Sequence, residues 1–228
     1  MGQDVLERTE LKMESNLAVL NTSSTKGNIS KLFSDGFQAK AIGFDQNYLN
    51  NTKDLALVKI SENGLPSLKL GSSDGMPVGH RIYAFGFPST AQFNSQDFLE
   101  PSFTPGIINA IKESDDKSFK IFQTDAKISE GSSGSPIFNG KGEVVGIVTF
   151  QTNRLNQLAG DNFAFALPVE LTKRLLAANS VENAVTGFNS YFSEGLAYLH
   201  NKRCKKAVSA FEKAEDIHKN FNVDNVVK

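Results

Sequence analysis

A serine between two glycines is the residue of this sequence best suited to chemistry. It lies in a run over residues 124–138 that reads Thr-Asp-Ala-Lys-Ile-Ser-Glu-Gly-Ser-Ser-Gly-Ser-Pro-Ile-Phe. Gly131 and Gly134 can adopt backbone angles closed to other residues, so the loop can turn tightly. Ser133 is the candidate nucleophile, and the N–H groups of Gly131 and Ser133 would converge on a developing oxyanion. The alternative is a Gly/Ser-rich turn without chemistry.

Short strands must position this loop. Between residues 17 and 168 the chain has β-branched and aromatic runs bounded by Gly, Asn, Asp, Ser or Pro, which is typical of strands. These runs lie at residues 38–42, 55–60, 81–85, 106–111, 119–123, 143–150 and 162–167. Strands of this number and spacing predict a mainly β fold, either a sandwich or a barrel.

Helices follow the strands. Residues 169–179 carry apolar side chains at helical spacing directly after Pro168, so they predict one helix that closes the β domain. A polar stretch then leads to two further helical segments, residues 190–200 and 205–218, around a short basic turn. These two segments predict a helical hairpin.

Several segments resemble, in one order, the chymotrypsin-fold serine proteases, and in particular the HtrA/Deg-like trypsin-like peptidases. Gly131-Ser-Ser-Gly-Ser-Pro136 is similar to that family's G-x-S-G-[GS]-P nucleophile motif, and Asp54-Leu-Ala-Leu-Val-Lys-Ile60 to the segment that carries its triad aspartate. The remaining similar segments are residues 71–88, 106–111, 123–126, 142–150 and 163–168. The resemblance covers about residues 35–168 and implies a trypsin-like double β-barrel and serine endopeptidase activity.

The resemblance implies a catalytic triad of which one member is missing. Such a triad needs a serine, a histidine that takes its proton and an aspartate that orients the imidazole. Ser133 and Asp54 fall on matching positions, but no histidine precedes His80. The usual place of the histidine falls near Asn21 and Thr22, so residues 17–25 resemble a lost or altered active-site segment. His80 is expected at the surface, and His200 and His218 lie in the helical tail, so we expect this chain to be nearly or wholly inactive as a peptidase.

Two explanations for the missing histidine stay open. The chain is either a piece of a longer parent that carries the first strands and the histidine, or a pseudoprotease that binds peptides or proteins without cutting them. Closure of the N-terminal barrel favours the first, because the residues before Asp54 cannot complete six strands. We therefore expect an incomplete N-terminal barrel, preceded in the chain by a polar segment at residues 1–16. A remnant that never folds stably is a third alternative.

Substrate selection is expected from the segments around Ser133. The resemblance implies that the primary pocket is lined by Lys127, Ile128, Ser129, Glu130, Thr149, Phe150 and Gln151, with residues 163–165 across from them. No acidic residue stands at the pocket base, where Lys127 or Ile128 falls. That disfavours a preference for Arg or Lys and leaves a smallish apolar side chain as the expected substrate residue.

The predicted hairpin resembles one tetratricopeptide (TPR) unit across residues 188–221. Small and bulky residues recur at that repeat's offsets, at Tyr191, Gly195, Tyr198, Ala207, Phe211 and Ala214. The alternative is a plain amphipathic hairpin packed on the barrel. A TPR would add a protein partner, and the expected division is a protease domain at 17–179, a linker at 180–189 and a single TPR-like hairpin at 190–228.

Composition excludes several other functions. With 24 basic and 25 acidic residues the net charge is −1, which offers no basic stripe for nucleic acid. Cys204 is the only cysteine, so neither an internal disulfide nor a cysteine-based structural zinc site can form. No apolar run of about 18 residues is present to span a membrane, and no cofactor or metal is expected. The compartment stays open, because this chain shows no signal peptide whereas HtrA-like relatives are often extracytoplasmic.

Overall fold

A computed structural model describes residues 17–19, 37–44, 55–61, 65–88, 101–114, 117–151, 163–184 and 186–217. Within these ranges the protein is mainly β, with helices at the C-terminal end. None of the described helices has the length and apolar character needed to cross a membrane. Asp54, Asn21, Thr22 and His218 lie outside the described residues.

A small antiparallel sheet comes first. Its strands are β1 (Leu17–Val19), β2 (Phe37–Phe44) and β3 (Ala56–Ile60), in the order β1-β2-β3. A bulge in the β2–β3 pairing falls between Ala41 and Gly43. Gly43 lies so close to Asn179 that an added Cβ would be 2.8 Å from the Asn179 side-chain carbon Cγ. These strands confirm the predicted runs at 38–42 and 55–60, while the completeness of the N-terminal barrel stays a prediction.

The second sheet is a closed six-stranded barrel, which decides between the two predicted architectures. Its strands are β4 (Arg81–Gly86), β5 (Ser102–Glu113), β6 (Lys120–Thr124), β7 (Pro136–Phe138), β8 (Val144–Gln151) and β9 (Ala164–Pro168). They close in the order β4-β5-β6-β9-β8-β7, with β7 pairing back onto β4. Apolar side chains from all six strands fill the interior, among them Ile82, Ile108, Phe122, Ile137, Val145 and Ala166. This close-packed apolar core gives the loops at the barrel's ends a rigid base.

Three helices follow the barrel: α1 (Val169–Ala178), α2 (Gly187–His200) and α3 (Cys204–Ile217). Helix α1 starts directly after Pro168, as predicted. Helix α2 begins three residues earlier than predicted, because the Thr186 side chain accepts a hydrogen bond from the Asn189 N–H and caps the helix. The helices α2 and α3 form the predicted hairpin.

Close contact between small and aromatic residues holds the hairpin together. The Phe211 ring is fully buried and lies against Gly195, where an added Cβ would be 2.6 Å from the ring carbon Cδ1. Ala207 and Ala214 are buried on the same helix face as Phe211. The packing agrees with the alternation of small and bulky residues in the sequence, and assignment of the hairpin to the TPR class stays a prediction.

The stretch expected to be a linker is bonded to the segment before the barrel. The Asn189 side chain accepts a hydrogen bond from the Ser67 N–H at 2.8 Å and donates one to the Ser67 carbonyl. Asn183 accepts from the Leu70 N–H at 3.1 Å and donates to the Leu68 carbonyl at 3.0 Å. We call this set of bonds the asparagine clamp. It attaches the start of the hairpin to residues 67–70.

Helix α1 is attached to the same region by a carboxylate. Glu170 accepts hydrogen bonds from the Ser73 N–H at 3.0 Å, the Ser73 hydroxyl and the Lys173 ammonium at 3.1 Å. Burial alone would raise the pKa of Glu170, but the bonds from Ser73 and Lys173 outweigh it and hold the pKa below its usual value. The charged carboxylate therefore stabilises the docked helix.

Candidate active site

The loop between β6 and β7 carries Ser133 and has the predicted tight backbone. Gly131 has φ +89° and Gly134 has φ +84°, both in the left-handed region that favours glycine. Within the loop, the Ser132 N–H donates to the Ser129 carbonyl at 3.0 Å. The geometric part of the prediction for the two glycines is thus confirmed.

Hydrogen bonds attach this loop to β8. The Gly134 N–H donates to the Val148 carbonyl at 2.8 Å, and the Val148 N–H donates to the Ser135 carbonyl at 2.9 Å. A further bond joins the Ser135 N–H to the Ser132 carbonyl at 3.0 Å. Because Val148 is buried in the barrel core, the loop's position is set by the barrel itself.

Ser133 is exposed and its hydroxyl has a backbone partner. The Ser133 Oγ donates to the carbonyl oxygen of Thr149 at 3.0 Å. Across the described ranges, no backbone carbonyl accepts a hydrogen bond from the N–H of Gly131 or Ser133. Acyl transfer needs backbone donors directed at the developing oxyanion, and that role of these two N–H groups stays a prediction.

His80 lies away from this hydroxyl. His80 directly precedes β4, whereas Gly86, at the other end of β4, is the residue that contacts Ser135 of the loop. Six extended residues separate the two positions by about 20 Å. His200 ends α2 and is exposed. At the separation given above, His80 cannot accept the Ser133 proton from its position in this structure.

The residues expected to line the substrate pocket divide into four groups. Thr149 is buried and reaches Ser133 through its carbonyl. Lys127 and Ile128 line a small cavity on the side of the loop that faces β4 and β5. Ser129 is half-buried and Glu130 exposed on the loop. Phe150 and Gln151 belong to β8, and their side chains lie outside the described residues.

That cavity adds residues of β4 and β5, among them Gly86 and Thr104, to the predicted pocket residues Lys127 and Ile128. Its volume is about 10 Å³, and its polar lining comes from Ser102, Thr104, Lys127, Ser132 and Ser135. Gly86 lets Ser135 approach, since an added Cβ at Gly86 would be 2.9 Å from the Ser135 Cβ. In the sequence, the one sign of this contact is Gly86, which stands before Phe87 and Pro88. The sequence alone does not connect this glycine with the loop that carries Ser133.

The described residues hold no candidate metal centre. No three side chains of His, Cys, Asp or Glu in those ranges are grouped so that they could bind a metal ion.

Comparison with known proteins identifies what this arrangement is similar to. A family model described as a trypsin-like peptidase domain matches residues 14–147. The probable periplasmic serine endoprotease DegP-like of Ectopseudomonas mendocina (strain ymp) is 34% identical over 151 residues, covering 65% of this chain and 29% of the relative. The putative serine protease HhoB of Synechocystis sp. is 32% identical over 155 residues, covering 65% of this chain and 32% of the relative. The chain thus spans less than a third of the length of these curated relatives.

A solved structure is similar as well. The HtrA-type protease AlgW with decapeptide superposes with a TM-score of 0.51 at 27% sequence identity, over 64% of this chain and 41% of the other. Together, the matches confirm the peptidase part of the resemblance seen in the sequence. The roles of individual residues and the nature of the helical hairpin stay predictions.

Proposed function

Because this chain belongs to the trypsin-like peptidase family, with a domain of the HtrA/DegP type, we propose that its barrel is a peptide-cleaving scaffold in which Ser133 is the nucleophile. The observation that carries the proposal is the backbone geometry of the loop between β6 and β7 that carries Ser133, which we call the nucleophile loop. Its two left-handed glycines expose the Ser133 hydroxyl beside two N–H groups without a described backbone partner. The substrate class is peptide or unfolded protein.

In the proposed reaction, Ser133 Oγ attacks the carbonyl carbon of a peptide bond while a base takes the hydroxyl proton. The N–H groups of Gly131 and Ser133 hold the resulting oxyanion. The carbon–nitrogen bond then breaks, the amine leaves with the proton returned by the base, and water hydrolyses the acyl-serine ester. Asp54 would orient an imidazole acting as that base.

The base itself is absent at the position where the family carries it. No histidine stands before Asp54 in this sequence, and the Ser133 proton is donated to the Thr149 carbonyl, which cannot remove it. Loss of a triad histidine costs about 10⁶-fold in kcat in a well-studied serine protease. We therefore expect the chain as given to have almost no peptidase activity.

A second candidate function is binding of peptides without cleavage. It is favoured by the Ser133–Thr149 hydrogen bond, which holds the hydroxyl in a resting position on β8. In this alternative the cleft beside Ser133 captures an extended peptide, and Lys127, Ile128, Ser129, Glu130, Thr149, Phe150 and Gln151 would select it. The same scaffold serves both functions, and only the base distinguishes them.

The helical hairpin would supply a protein partner in either case. Its support is apolar surface on both helices, where Leu196, Leu199, Val208 and Ile217 are each 38–44% exposed. The proposed division, with residues 17–179 as protease domain and residues 190–228 as a TPR-like unit, assigns these roles to separate parts of the chain. The asparagine clamp would hold the two parts together.

The test is labelling of the purified, folded protein with a fluorophosphonate probe, which reacts with an activated serine. We expect no labelling of the wild type above that of Ser133→Ala, with Ser129→Ala as a control on the same loop. Asn21→His and Thr22→His, which restore histidine at its usual place, should gain labelling that Ser133→Ala abolishes.

Peptide binding separates the two candidates. Fluorescence anisotropy with a labelled unfolded-protein peptide should detect binding that is weakened by substitutions at Ser129 or Glu130. Strong labelling of the wild type would show that a working base exists and would overturn the inactivity proposal. If the histidine variants are not labelled and no peptide binding is detected, the assignment of the cleft to peptides is overturned.

A further inference from the structure

One side of the helical hairpin is covered by paired lysine and tyrosine side chains. The Lys206 ammonium lies 5.6 Å from the centre of the Tyr198 ring, and the Lys213 ammonium lies 5.5 Å from the centre of the Tyr191 ring. Each pair joins α3 to α2, and the two pairs are one heptad apart on both helices, so they lie along the same side of the hairpin. Their lysine stems cover apolar ring surface there.

The opposite side of the hairpin exposes apolar side chains instead. Helical spacing turns Leu196 and Leu199 of α2 and Val208 of α3 away from the lysine–tyrosine pairs. Their exposed fractions are 44%, 38% and 40%. Gly195 of α2 lies against the ring of Phe211, so Leu196 is level with the middle of α3. We call this side of the hairpin the Val208 face.

A charged stripe on α3 runs through the Val208 face. Lys205, Val208, Glu212 and Glu215 follow one another at spacings of three, four and three positions, which places them along one line of the helix. Lys205 and Glu212 are exposed, and Glu215 is half-buried. Within the described ranges, no ion pair inside the chain involves any of these three charged side chains.

The order of charges on this stripe is self-complementary. Lys205 and Glu212 lie equally far from the midpoint between positions 208 and 209, and so do Lys202, in the turn before α3, and Glu215. When a second α3 lies antiparallel across that midpoint, each lysine of one copy faces a glutamate of the other, and the two Val208 side chains meet at the centre. We propose that the hairpin pairs with a second copy of this chain through the Val208 face.

The same order of charges disfavours other partners. A lipid headgroup surface or a nucleic acid with negative charge would attract Lys205 but repel Glu212 and Glu215. A second copy supplies both signs of charge in the order that the stripe requires. Leu196 and Leu199 would add apolar contact beside the centre of the interface.

The size of the Val208 face sets the strength of this pairing. Each helix has 14 residues and is about 21 Å long, and two helices side by side are about 20 Å wide. The face therefore offers about 400 Å² per copy, whereas a stable interface of standard size buries about 800 Å² per partner. We expect a weak, reversible dimer whose register is set by the charges.

This inference names the partner that the proposed function leaves open for the hairpin, and it rests on that part of the proposed function. It does not involve the peptidase chemistry, because Ser133 lies in the barrel and the Val208 face lies on the hairpin.

The test is sedimentation equilibrium of the full chain at concentrations from about 1 to 500 µM, a range suited to a weak dimer. Lys205→Glu and Glu212→Lys should each raise the dissociation constant about tenfold, because two ion pairs of the symmetric interface become repulsive. Lys206→Glu is the matched control. It makes the same change of charge on the lysine–tyrosine side and should leave the dissociation constant unchanged.

Charge exchange makes the test independent of damage to the fold. The double variant Lys205→Glu/Glu212→Lys restores opposite charges across the interface and should dimerise like the wild type. An equal mixture of the two single variants should form a heterodimer more tightly than either variant pairs with itself. Far-UV circular dichroism should show the same helix content in all of these proteins.

Three results would overturn the proposal. The first is a chain that stays monomeric over the whole concentration range, and the second is an assembly larger than a dimer. The third is a dimer that Lys205→Glu and Lys206→Glu weaken equally, or that the double variant does not recover, since that would show a general effect of net charge. Ser133→Ala should dimerise like the wild type, so failure of this proposal is distinguishable from failure of the peptidase proposal.

Discussion

A methyl group on Gly86 would collide with the nucleophile loop, which makes Gly86→Ala a direct test of how the barrel positions that loop. The added Cβ would be 2.9 Å from the Ser135 Cβ and closer still to its hydroxyl. Rotation of the hydroxyl removes only the second overlap. Ser135 cannot move away freely, because backbone hydrogen bonds tie it to Ser132 and Val148.

The expected cost follows from two opposing effects. Overpacking of a well-packed site costs about 1–3 kcal/mol in the free energy of unfolding. Replacement of glycine by alanine returns about 0.4–1 kcal/mol by restricting the unfolded chain. Gly86→Ala should therefore lower the free energy of unfolding by about 1–2 kcal/mol. In a protein of this size that corresponds to a decrease in Tm of about 2–8 °C.

Denaturant unfolding of four proteins in a double-mutant cycle measures the effect. Ser135→Gly removes both overlapping atoms, the Ser135 Oγ and Cβ. The free energy of unfolding of the double variant should therefore be about 1 kcal/mol higher than the sum of the two single effects predicts. Gly140→Ala is the matched control, because no heavy atom lies within 4 Å of a Cβ added there. A Gly86→Ala protein as stable as wild type, or strictly additive single changes, would refute the proposed contact.

Three further substitutions test the attachments around the barrel. Glu170→Gln should reduce stability at pH 7 by about 1 kcal/mol, as the carboxylate is partly exposed. Folding lowers the pKa of Glu170. The greater stability of the wild type over Glu170→Gln should therefore be fully present above the pKa that Glu170 has in the unfolded chain, and it should vanish as pH falls through the pKa of the folded state. Thermal melts of both proteins across pH measure this difference. Asn189→Ala should cost about 1–2 kcal/mol and increase amide exchange in α2, whereas Asn201→Ala, whose bond stays within the helix end, should not. Gly195→Val should disrupt the hairpin by at least 2 kcal/mol through overlap with Phe211, visible as lost helical circular dichroism.

Local sequence patterns predicted those elements whose own residue types have a strong preference for the conformation or the burial that they adopt. The strands at 81–85 and 106–111 alternate or run apolar between turn residues, and the barrel buries those same side chains, such as Ile82 and Ile108. Gly131 and Gly134 indicated left-handed backbone because few other residues adopt it at low cost. The strands of the barrel and the left-handed glycines of the nucleophile loop could therefore be predicted, whereas these local patterns left both a sandwich and a barrel open.

Contacts between distant parts of the chain could not be predicted in the same way. Gly86 and Ser135 are adjacent in space but far apart in sequence, and no local pattern connects a strand glycine with a loop serine. Asn183 and Asn189 lie in the polar stretch at 180–189 that the sequence predicts as a linker. Their amides instead bond to a distant backbone segment, and a solvated asparagine has the same sequence signature.

The asparagine clamp also has a kinetic consequence. Its bonds join residues 113 to 122 positions apart in the chain, whereas α2 and α3 contact each other across a short turn. Local contacts form early, while closing a loop of more than a hundred residues is entropically costly until other contacts shorten it. The hairpin can therefore become helical before the barrel closes, whereas its docking on residues 67–70 is expected to come late, after the barrel between them has shortened the loop.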